Sequence, residues 1–330
     1  MNSHKPLNLF YEEPDPDRWF RHDKYVRRLV RWLVRGKSRP GGHAMIAINL
    51  MKGLDKLGVP YRLNDHQYIR SHPDEIACVI GKPQVLFGNK WENPILFGAA
   101  VFSHPVEHPD LFKTYPNIQK ILVPGEWAGR MFAEFYGDKV AVWPAGIDTD
   151  HWKPYDGQKT VDFLVYDKIM WDYEQKKQDL LMPIIEILKK KKLTVEYIRY
   201  GQYKPDDLLH ATERCRSALF LCEHETQGFA YQQLLSAGLP VLAWDKGGYW
   251  IDPSYYPHKV MYQPVSSTSY WDDRCGLKFR GLEDFEQQLD AFLLAQNNFK
   301  PRDYILENLT LENCAAKYLE IYADVERNLP

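Results

Sequence analysis

Short apolar runs alternate with longer segments whose apolar residues recur at helical spacing. The candidate strands are LNLFYEE, EIACVIG, AAVFSH, KILVPG and KVAVWP in the first half, and TVDFLVYD, TVEYIRYG, ALFLCE and GLPVLA in the second. Helical patterns lie between them, including residues 174–192 and 206–216, and the chain closes with a helical pattern in LENCAAKYLEIYADVERN. Strands that alternate with helices predict α/β architecture, with parallel sheets covered by helices on both faces.

The pattern is interrupted once, by the polar stretch DTDHWKPYDGQK, and restarts at TVDFLVYD. A chain of 330 residues is also long enough for two domains of ordinary size. We therefore predict two Rossmann-like, doubly wound domains, 1–153 and 154–310, followed by a C-terminal helix, 311–330.

Composition excludes several classes of protein. Hydrophobic residues make up 45% and charged residues 26% of the chain, which is typical of a globular protein. No apolar run approaches the roughly 20 residues that span a bilayer, and the N-terminus lacks the pattern of a secretory signal. Five cysteines without a C-x-x-C pair favour reduced thiols and a cytoplasmic location. A net charge of −2 gives no reason to expect nucleic acid binding.

Positive charge is concentrated in one segment, residues 18–39, which carries nine Lys or Arg and one Asp. Trp19, Phe20, Tyr25 and Trp32 lie among them. One interpretation is a helix that docks peripherally on an anionic membrane, near a lipid-linked acceptor. The other is an amphipathic helix that packs on its own domain and leaves its arginines in solvent. The sequence leaves both open.

Glycines at two predicted helix starts suggest anion binding. Gly41 and Gly42 precede one helix, and Gly228 precedes another. In open parallel sheets, ligands bind beyond the carboxyl ends of strands, where helix N-termini present free N–H groups. Without a side chain, a glycine lets an anion approach the backbone closely.

The stretch Cys222–Gly248 resembles the donor-binding motif of glycosyltransferase family 4, retaining enzymes of the GT-B fold. In that motif a Glu, seven residues and a second Glu are followed by Gly-x-Pro-Val and a glycine pair. Here Glu225, Gly238-Leu239-Pro240-Val241 and the pair Gly247-Gly248 fall in the same register. Four more segments resemble family elements in the expected order: GGHAMIAINLMKGLDKLG, KVAVWPAGIDTDHWKP, CGLKFRGLEDFEQQL and ENLTLENCAAKYLEIY.

The resemblance implies a hexosyltransferase that moves sugar from a nucleoside-diphosphate sugar to a glycan or lipid-linked acceptor, as in polysaccharide biosynthesis. It implies two domains that face a central cleft, with the C-terminal helix, 311–330, packed back onto the first domain. It places the donor in the C-terminal domain and the acceptor mainly in the N-terminal one, and it implies no cofactor and no metal. The implied catalytic residues are Glu225, His104 and Lys168. The implied donor-binding residues are Gly41, Gly42, Lys176, Lys177, Thr226, Gln227, Gly228, Phe229, Gln233, Gly247 and Gly248.

The chain departs from the family pattern at three positions. Gln233 replaces the second Glu and loses a charge-assisted bond to ribose hydroxyls. Lys168 stands where an Arg is usual, which replaces a bidentate fork by a point charge, and Ala145 replaces an Asn. A catalytically weak, sugar-nucleotide-binding accessory protein, or another GT-B reaction such as epimerisation, therefore stays open.

Plainer roles also stay open for single residues. Glu225 can cap the helix that follows it, the lysines of 168–177 can form a solvated face, and His104 can be structural.

Overall fold

The computed structural model describes residues 5–12, 19, 23, 26–27, 42–99 and 101–329. The chain forms two compact units, each built on one parallel sheet. The first unit comprises Met1–Val123, Phe132–Trp143 and Ala315–Pro330, and the second comprises Pro124–Met131 and Pro144–Cys314. Segment 18–39 lies almost entirely outside the described residues, as does Gly41. Of that segment, Trp19 is exposed, and Arg27 pairs with the buried Asp23 at 3.1 Å.

The first part of the chain alternates short strands and helices. Its strands are β1 (Leu7–Phe10), β2 (Tyr61–Leu63), β3 (Ala77–Val79), β4 (Ile95–Gly98), β5 (Ile118–Val123) and β6 (Val140–Val142). Its helices are α1 (Gly42–Leu57), α2 (His66–Ser71), α3 (Gln84–Phe87), α4 (Leu111–Thr114) and α5 (Glu126–Tyr136).

The second part repeats the alternation. Its strands are β7 (Val161–Lys168), β8 (Val195–Arg199), β9 (Cys215–Cys222), β10 (Val241–Trp244) and β11 (Gly276–Phe279). Its helices are α6 (Tyr173–Lys176), α7 (Met182–Lys190), α8 (Pro205–Arg214), α9 (Phe229–Ser236), α10 (Leu282–Ala295), α11 (Pro301–Asn308) and α12 (Leu311–Arg327). A π-helical segment, Lys177–Leu181, joins α6 to α7.

Both sheets are parallel throughout and doubly wound. The strand order is β2-β1-β3-β4-β5-β6 in the first unit and β11-β10-β9-β7-β8 in the second. In each unit the second strand lies outside the first, and the third lies on its other side. The order therefore reverses between β1 and β3, and again between β7 and β9. Ligands of doubly wound proteins bind outside the carboxyl ends of strands at such a point.

The central strands of the second unit, β7, β9 and β10, are buried on both faces, which is why each contains a continuous apolar stretch. Phe163 and Val165 of β7 contribute to the core on one face, together with Leu219 of β9. Leu164 and Tyr166 point to the opposite core. Successive side chains of a strand alternate between faces, so one eight-residue strand contributes to two cores.

One predicted strand is wrong. AAVFSH was expected to be a strand, but β4 lies just before it, at Ile95–Gly98, where Ile95 is opposite Ala77 of β3. Gly98 ends the strand with φ of +130°, a backbone conformation that L side chains rarely adopt. Val101 and Phe102 are nevertheless buried. The apolar character of this run therefore reflects burial of its side chains next to the sheet, not hydrogen bonding to a neighbouring strand.

Candidate functional site

The reversal of strand order in the second unit brings two segments of polar residues together. Lys168 ends β7 and is opposite Cys222, the last residue of β9. The next residues after β9 are Glu223, His224 and Glu225. The carboxyl ends of neighbouring parallel strands meet at one sheet edge, so a lysine and two glutamates lie where ligands of this architecture bind.

Lys168 and Glu225 form an ion pair at this edge. Their side chains are 18% and 16% exposed, and the Lys168 ammonium also lies 4.7 Å from the centre of the Tyr200 ring. Burial lowers the pKa of Lys168, but the attraction of Glu225 outweighs it, so the pKa lies above its ordinary value. Lys168 is therefore a cation at neutral pH. Glu225 does not cap α9, whose N-cap is Gly228 without a side-chain bond.

A second lysine–glutamate pair lies beside the first. Lys176 donates to Glu223 at 3.0 Å and to the carbonyl of Trp171 at 2.8 Å. Glu223 is buried and accepts the backbone N–H groups of Met170 (3.0 Å) and Trp171 (3.3 Å). These bonds fix the loop between β7 and α6. Neither lysine is part of a solvated face, and each carries a paired charge.

His224 separates the two glutamates and faces aromatic rings. It stacks on Trp171 at 4.8 Å between ring centres, and Trp127 meets it edge-on at 5.8 Å. Burial, followed by the charges of Lys168 and Lys176, lowers the pKa of His224 to about 3. Its Nε2 atom is buried without a hydrogen-bond partner in the part of the chain that the structure describes. Glu223 and His224 were not singled out in the sequence.

Gly228 forms the start of α9 by adopting a left-handed conformation, with φ of +80°. A Cβ atom there would lie 2.0 Å from Cε1 of the buried Tyr231, so the position needs glycine for space as well as for φ. Phe229 is the first residue of the helix. The N–H groups of its first turn receive no side-chain cap within the described residues.

The two residues before Gly228 are used locally. The backbone N–H of Thr226 donates to Glu225 at 3.2 Å. Gln227 is buried, and its amide both accepts from the N–H of Ala145 (2.9 Å) and donates to its carbonyl (3.0 Å). Gln232 completes the arrangement by accepting from Gln227 at 3.0 Å. These bonds anchor the segment of Ala145 to the start of α9.

Four predicted positions have freer surroundings. Gln233 lies half-buried on α9, and its side chain makes no hydrogen bond with the described residues. Lys177 is half-buried in the π-helical segment. Gly247 and Gly248 follow β10 with φ of +66° and +77°. All four positions belong to the second unit.

His104 and Gly42 belong to the first unit. His104 lies beyond the end of β4 and caps a short 3₁₀ turn, where its Nδ1 accepts from the N–H of Val106 at 2.9 Å. It is 2% exposed, and burial lowers its pKa to about 4 against the opposing charge of Glu107. Gly42 is the first residue of α1, and a Cβ there would meet nothing within 4 Å.

The described residues contain neither a candidate metal site nor a candidate membrane-spanning helix. No group of three or more His, Cys, Asp or Glu side chains there has the arrangement of a metal site. None of the described helices combines the length and apolar character needed to cross a membrane. The five cysteines are buried and unpaired with one another.

Neither a protein-family model nor a curated protein matches the chain. Solved structures do. A structure of accessory secretory proteins 1, 2 and 3 of Streptococcus pneumoniae matches with a TM-score of 0.51 and 16% identity over 80% of this chain. This chain spans 56% of the length of that relative. Sucrose-phosphate synthase of Thermosynechococcus elongatus matches over 99% of this chain and 100% of its own, with a TM-score of 0.50 and 10% identity.

A trehalose-6-phosphate synthase, studied for glycosyl transfer with retention, has a TM-score of 0.54 and 11% identity over 89% of this chain and 80% of its own. The chain has the GT-B fold. Identities this low establish the fold and leave the activity of this GT-B protein to be argued from its own residues.

Proposed function

We propose that this GT-B protein is a retaining, metal-independent glycosyltransferase that moves a hexose from a nucleoside-diphosphate sugar to a glycan or lipid-linked acceptor. The observation that carries the proposal is the cluster of Lys168, Glu225 and the start of α9 at the sheet edge where the strand order reverses. The family 4 resemblance assigns the donor to these same residues.

The diphosphate of such a donor leaves with developing negative charge, which the site must stabilise. Lys168 stays protonated, and the uncapped N–H groups that begin α9 supply further donors. When the diphosphate binds Lys168, it replaces Glu225 as the partner of the ammonium. Glu225 is then free to accept hydrogen bonds from hydroxyls of the sugar.

In the proposed reaction, the bond between the anomeric carbon and the diphosphate oxygen breaks on the face where the acceptor oxygen bonds. The acceptor proton passes to the leaving diphosphate, so no side-chain nucleophile is required. Similarity in fold to a trehalose-6-phosphate synthase studied for glycosyl transfer with retention agrees with this stereochemistry. The family 4 resemblance assigns His104 to the donor sugar, and its pKa near 4 makes it a neutral imidazole at neutral pH.

A second candidate is an accessory protein that binds a sugar nucleotide without turning it over. The pairing of both lysines with glutamates favours it, because a diphosphate must compete with Glu225 and Glu223 for the cations. Gln233 in place of a glutamate points the same way, and one structural relative is named as an accessory protein.

A panel of UDP-, GDP- and TDP-sugars separates the candidates when binding and donor hydrolysis are both measured. The enzyme proposal predicts that at least one donor binds and is hydrolysed, and that Glu225→Ala reduces this hydrolysis. Binding without hydrolysis identifies the accessory protein. A chain that binds no member of the panel contradicts both candidates.

A further inference from the structure

The connection between β10 and β11 departs from the alternation found elsewhere in the second unit. Residues 245–275, all within the described part of the chain, contain neither helix nor strand. Parallel neighbours such as β10 and β11 are usually joined by a helical crossover. A long connection without regular structure is often functional, so its contacts with the site are informative.

This connection holds the backbone of Glu225. The N–H of Glu225 donates to the carbonyl of Ser266 at 2.9 Å. Its carbonyl accepts the hydroxyl of Ser269 at 2.6 Å and the indole N–H of Trp127 at 3.0 Å. The backbone of Glu225 therefore has a partner on each side, while its carboxylate pairs with Lys168.

Asp245 organises the segment that makes these bonds. Its carboxylate accepts the Ser266 hydroxyl (2.9 Å) and the Ser267 N–H (2.8 Å). The ammonium of Lys278 lies 2.9 Å from the same carboxylate, whose side chain is only 12% exposed. The backbone of Asp245 is itself fixed, because its N–H donates to Phe279 at the end of β11 at 2.9 Å.

These contacts form a continuous chain from the sheet to the site. Asp245 follows β10, whose last residue, Trp244, is opposite Leu221 of β9. Its carboxylate fixes Ser266, and Ser266 fixes the N–H of Glu225. Charge-assisted hydrogen bonds to a mostly buried carboxylate are about twice as strong as neutral ones. Asp245 is thus the strongest acceptor in this chain of contacts.

We propose that Asp245 is a positioning residue of the donor site, which sets the backbone of Glu225 through the Ser266–Ser269 segment. The identity of the ligand that Glu225 binds rests on the proposed function. The positioning of Glu225 is a property of the free protein. The proposal assigns a role to a residue two positions before the glycine pair, which the family resemblance does not use.

Hydrogen–deuterium exchange tests the positioning without any ligand. We expect Asp245→Asn to speed the exchange of the Glu225 amide by about tenfold. This amide donates to the carbonyl of Ser266, and Ser266 loses its charge-assisted bond to Asp245 in the variant. Ser269→Ala removes only one neutral hydrogen bond to Glu225 and should accelerate exchange less in the same peptide. This variant can be measured in place of Asp245→Asn if Asp245→Asn folds poorly. Unchanged exchange at Glu225 in both variants overturns the proposal.

The matched control is Asp162→Asn. Asp162 accepts the N–H (2.8 Å) and hydroxyl (2.7 Å) of Thr194 and pairs with Arg216 at 2.7 Å. The Asp162→Asn substitution therefore disturbs a set of bonds comparable to that of Asp245. Asp162 lies near the start of β7, whereas Lys168 ends the same strand. Asp162→Asn should leave the exchange of the Glu225 amide unchanged. An equal acceleration in this control would show a global loss of stability and overturn the positioning role.

Ligand binding supplies a readout that a merely structural role would not move. Dissociation constants are compared for UDP against UDP-glucose and for GDP against GDP-mannose. If Asp245 positions Glu225 for the sugar, Asp245→Asn shrinks the affinity advantage of the sugar nucleotide and changes the affinity for the free diphosphate little. An advantage equal to that of the parent overturns this role. If the parent binds none of the four, the proposed function fails for these donors, and the exchange experiment still decides the positioning.

Discussion

Lys168 and Glu225 form an ion pair across the carboxyl ends of β7 and β9. The two side chains meet because these strand ends are neighbours in the sheet. Their proposed roles require different partners, diphosphate for the lysine and sugar hydroxyls for the glutamate. In the free protein the ion pair therefore holds both side chains at the proposed donor site. A donor that binds there must replace the ion pair by its own contacts with Lys168 and Glu225. The consequences can be measured at each residue of the cluster.

Removal of the cation should weaken diphosphate binding. Lys168→Ala is expected to weaken UDP or GDP binding by tenfold or more, because it deletes a charge-assisted bond and leaves the Glu225 carboxylate facing the anion. Isothermal titration calorimetry gives the affinity. Lys191→Ala is the control, since Lys191 is also paired, with Asp290 at 2.7 Å, but on the end of α7. Equal affinity in the Lys168 variant and the parent would remove Lys168 from the site.

The start of α9 should tolerate no side chain. Gly228→Ala combines a left-handed conformation, which costs about 1–2 kcal/mol, with overlap against Tyr231, for which overpacking costs about 1–3 kcal/mol. Gly248→Ala is the matched control, because Gly248 has φ of +77° but open space around a Cβ. Urea unfolding should rank the losses in that order. Equal losses would mean that Tyr231 moves aside.

Neighbouring glutamines on α9 should respond in opposite ways to a negative charge. Gln233→Glu is expected to change donor affinity or nucleotide preference with little loss of stability, because this side chain is half-buried and forms no bond with the described residues. Gln232→Glu should cost about 3 kcal/mol or more, since Gln232 is fully buried and its amide donates to the carbonyl of Gln227. Unfolding and donor titrations measure both. A Gln233→Glu protein that matches its parent across the donor panel would show that Gln233 is not at the ribose position.

Much of the fold could be predicted from local patterns. β7 and β9 each contain a continuous apolar run because both faces of these strands are buried. Gly228 marks a helix start because the position needs a positive φ, which glycine adopts readily. AAVFSH misled because burial next to a sheet and pairing within it produce the same composition. The strand order β8-β7-β9 then brings Lys168 to Glu225, and no local pattern encodes that order.

The partners of the candidate residues were the least predictable part. Lys176 was expected to meet phosphate, yet it pairs with Glu223, forty-seven positions along the chain. Gln227 was expected at the donor, yet its amide is fully occupied by Ala145 and Gln232. Such bonds depend on the exact path of loops, which side-chain chemistry alone does not specify. Asp245 was missed for the same reason, although it lies only two positions before the glycine pair.

The buried histidine of the first unit should make stability depend on pH. His104 has a pKa of about 4 when folded, against about 6.5 for an ordinary histidine in the unfolded chain. Between these values the unfolded chain binds a proton that the folded protein does not, so the free energy of unfolding falls as the pH drops from about 6.5 towards 4. Above that window the contribution is constant.

His104→Asn keeps an acceptor for the N–H of Val106 but removes the titration. We expect the parent to lose about 2 kcal/mol more than this variant between pH 7.5 and pH 5, measured by urea unfolding at both values. His151→Asn, at an exposed histidine, should retain the pH dependence of the parent. If parent and His104→Asn lose stability in parallel, His104 does not enter the fold as a buried neutral imidazole.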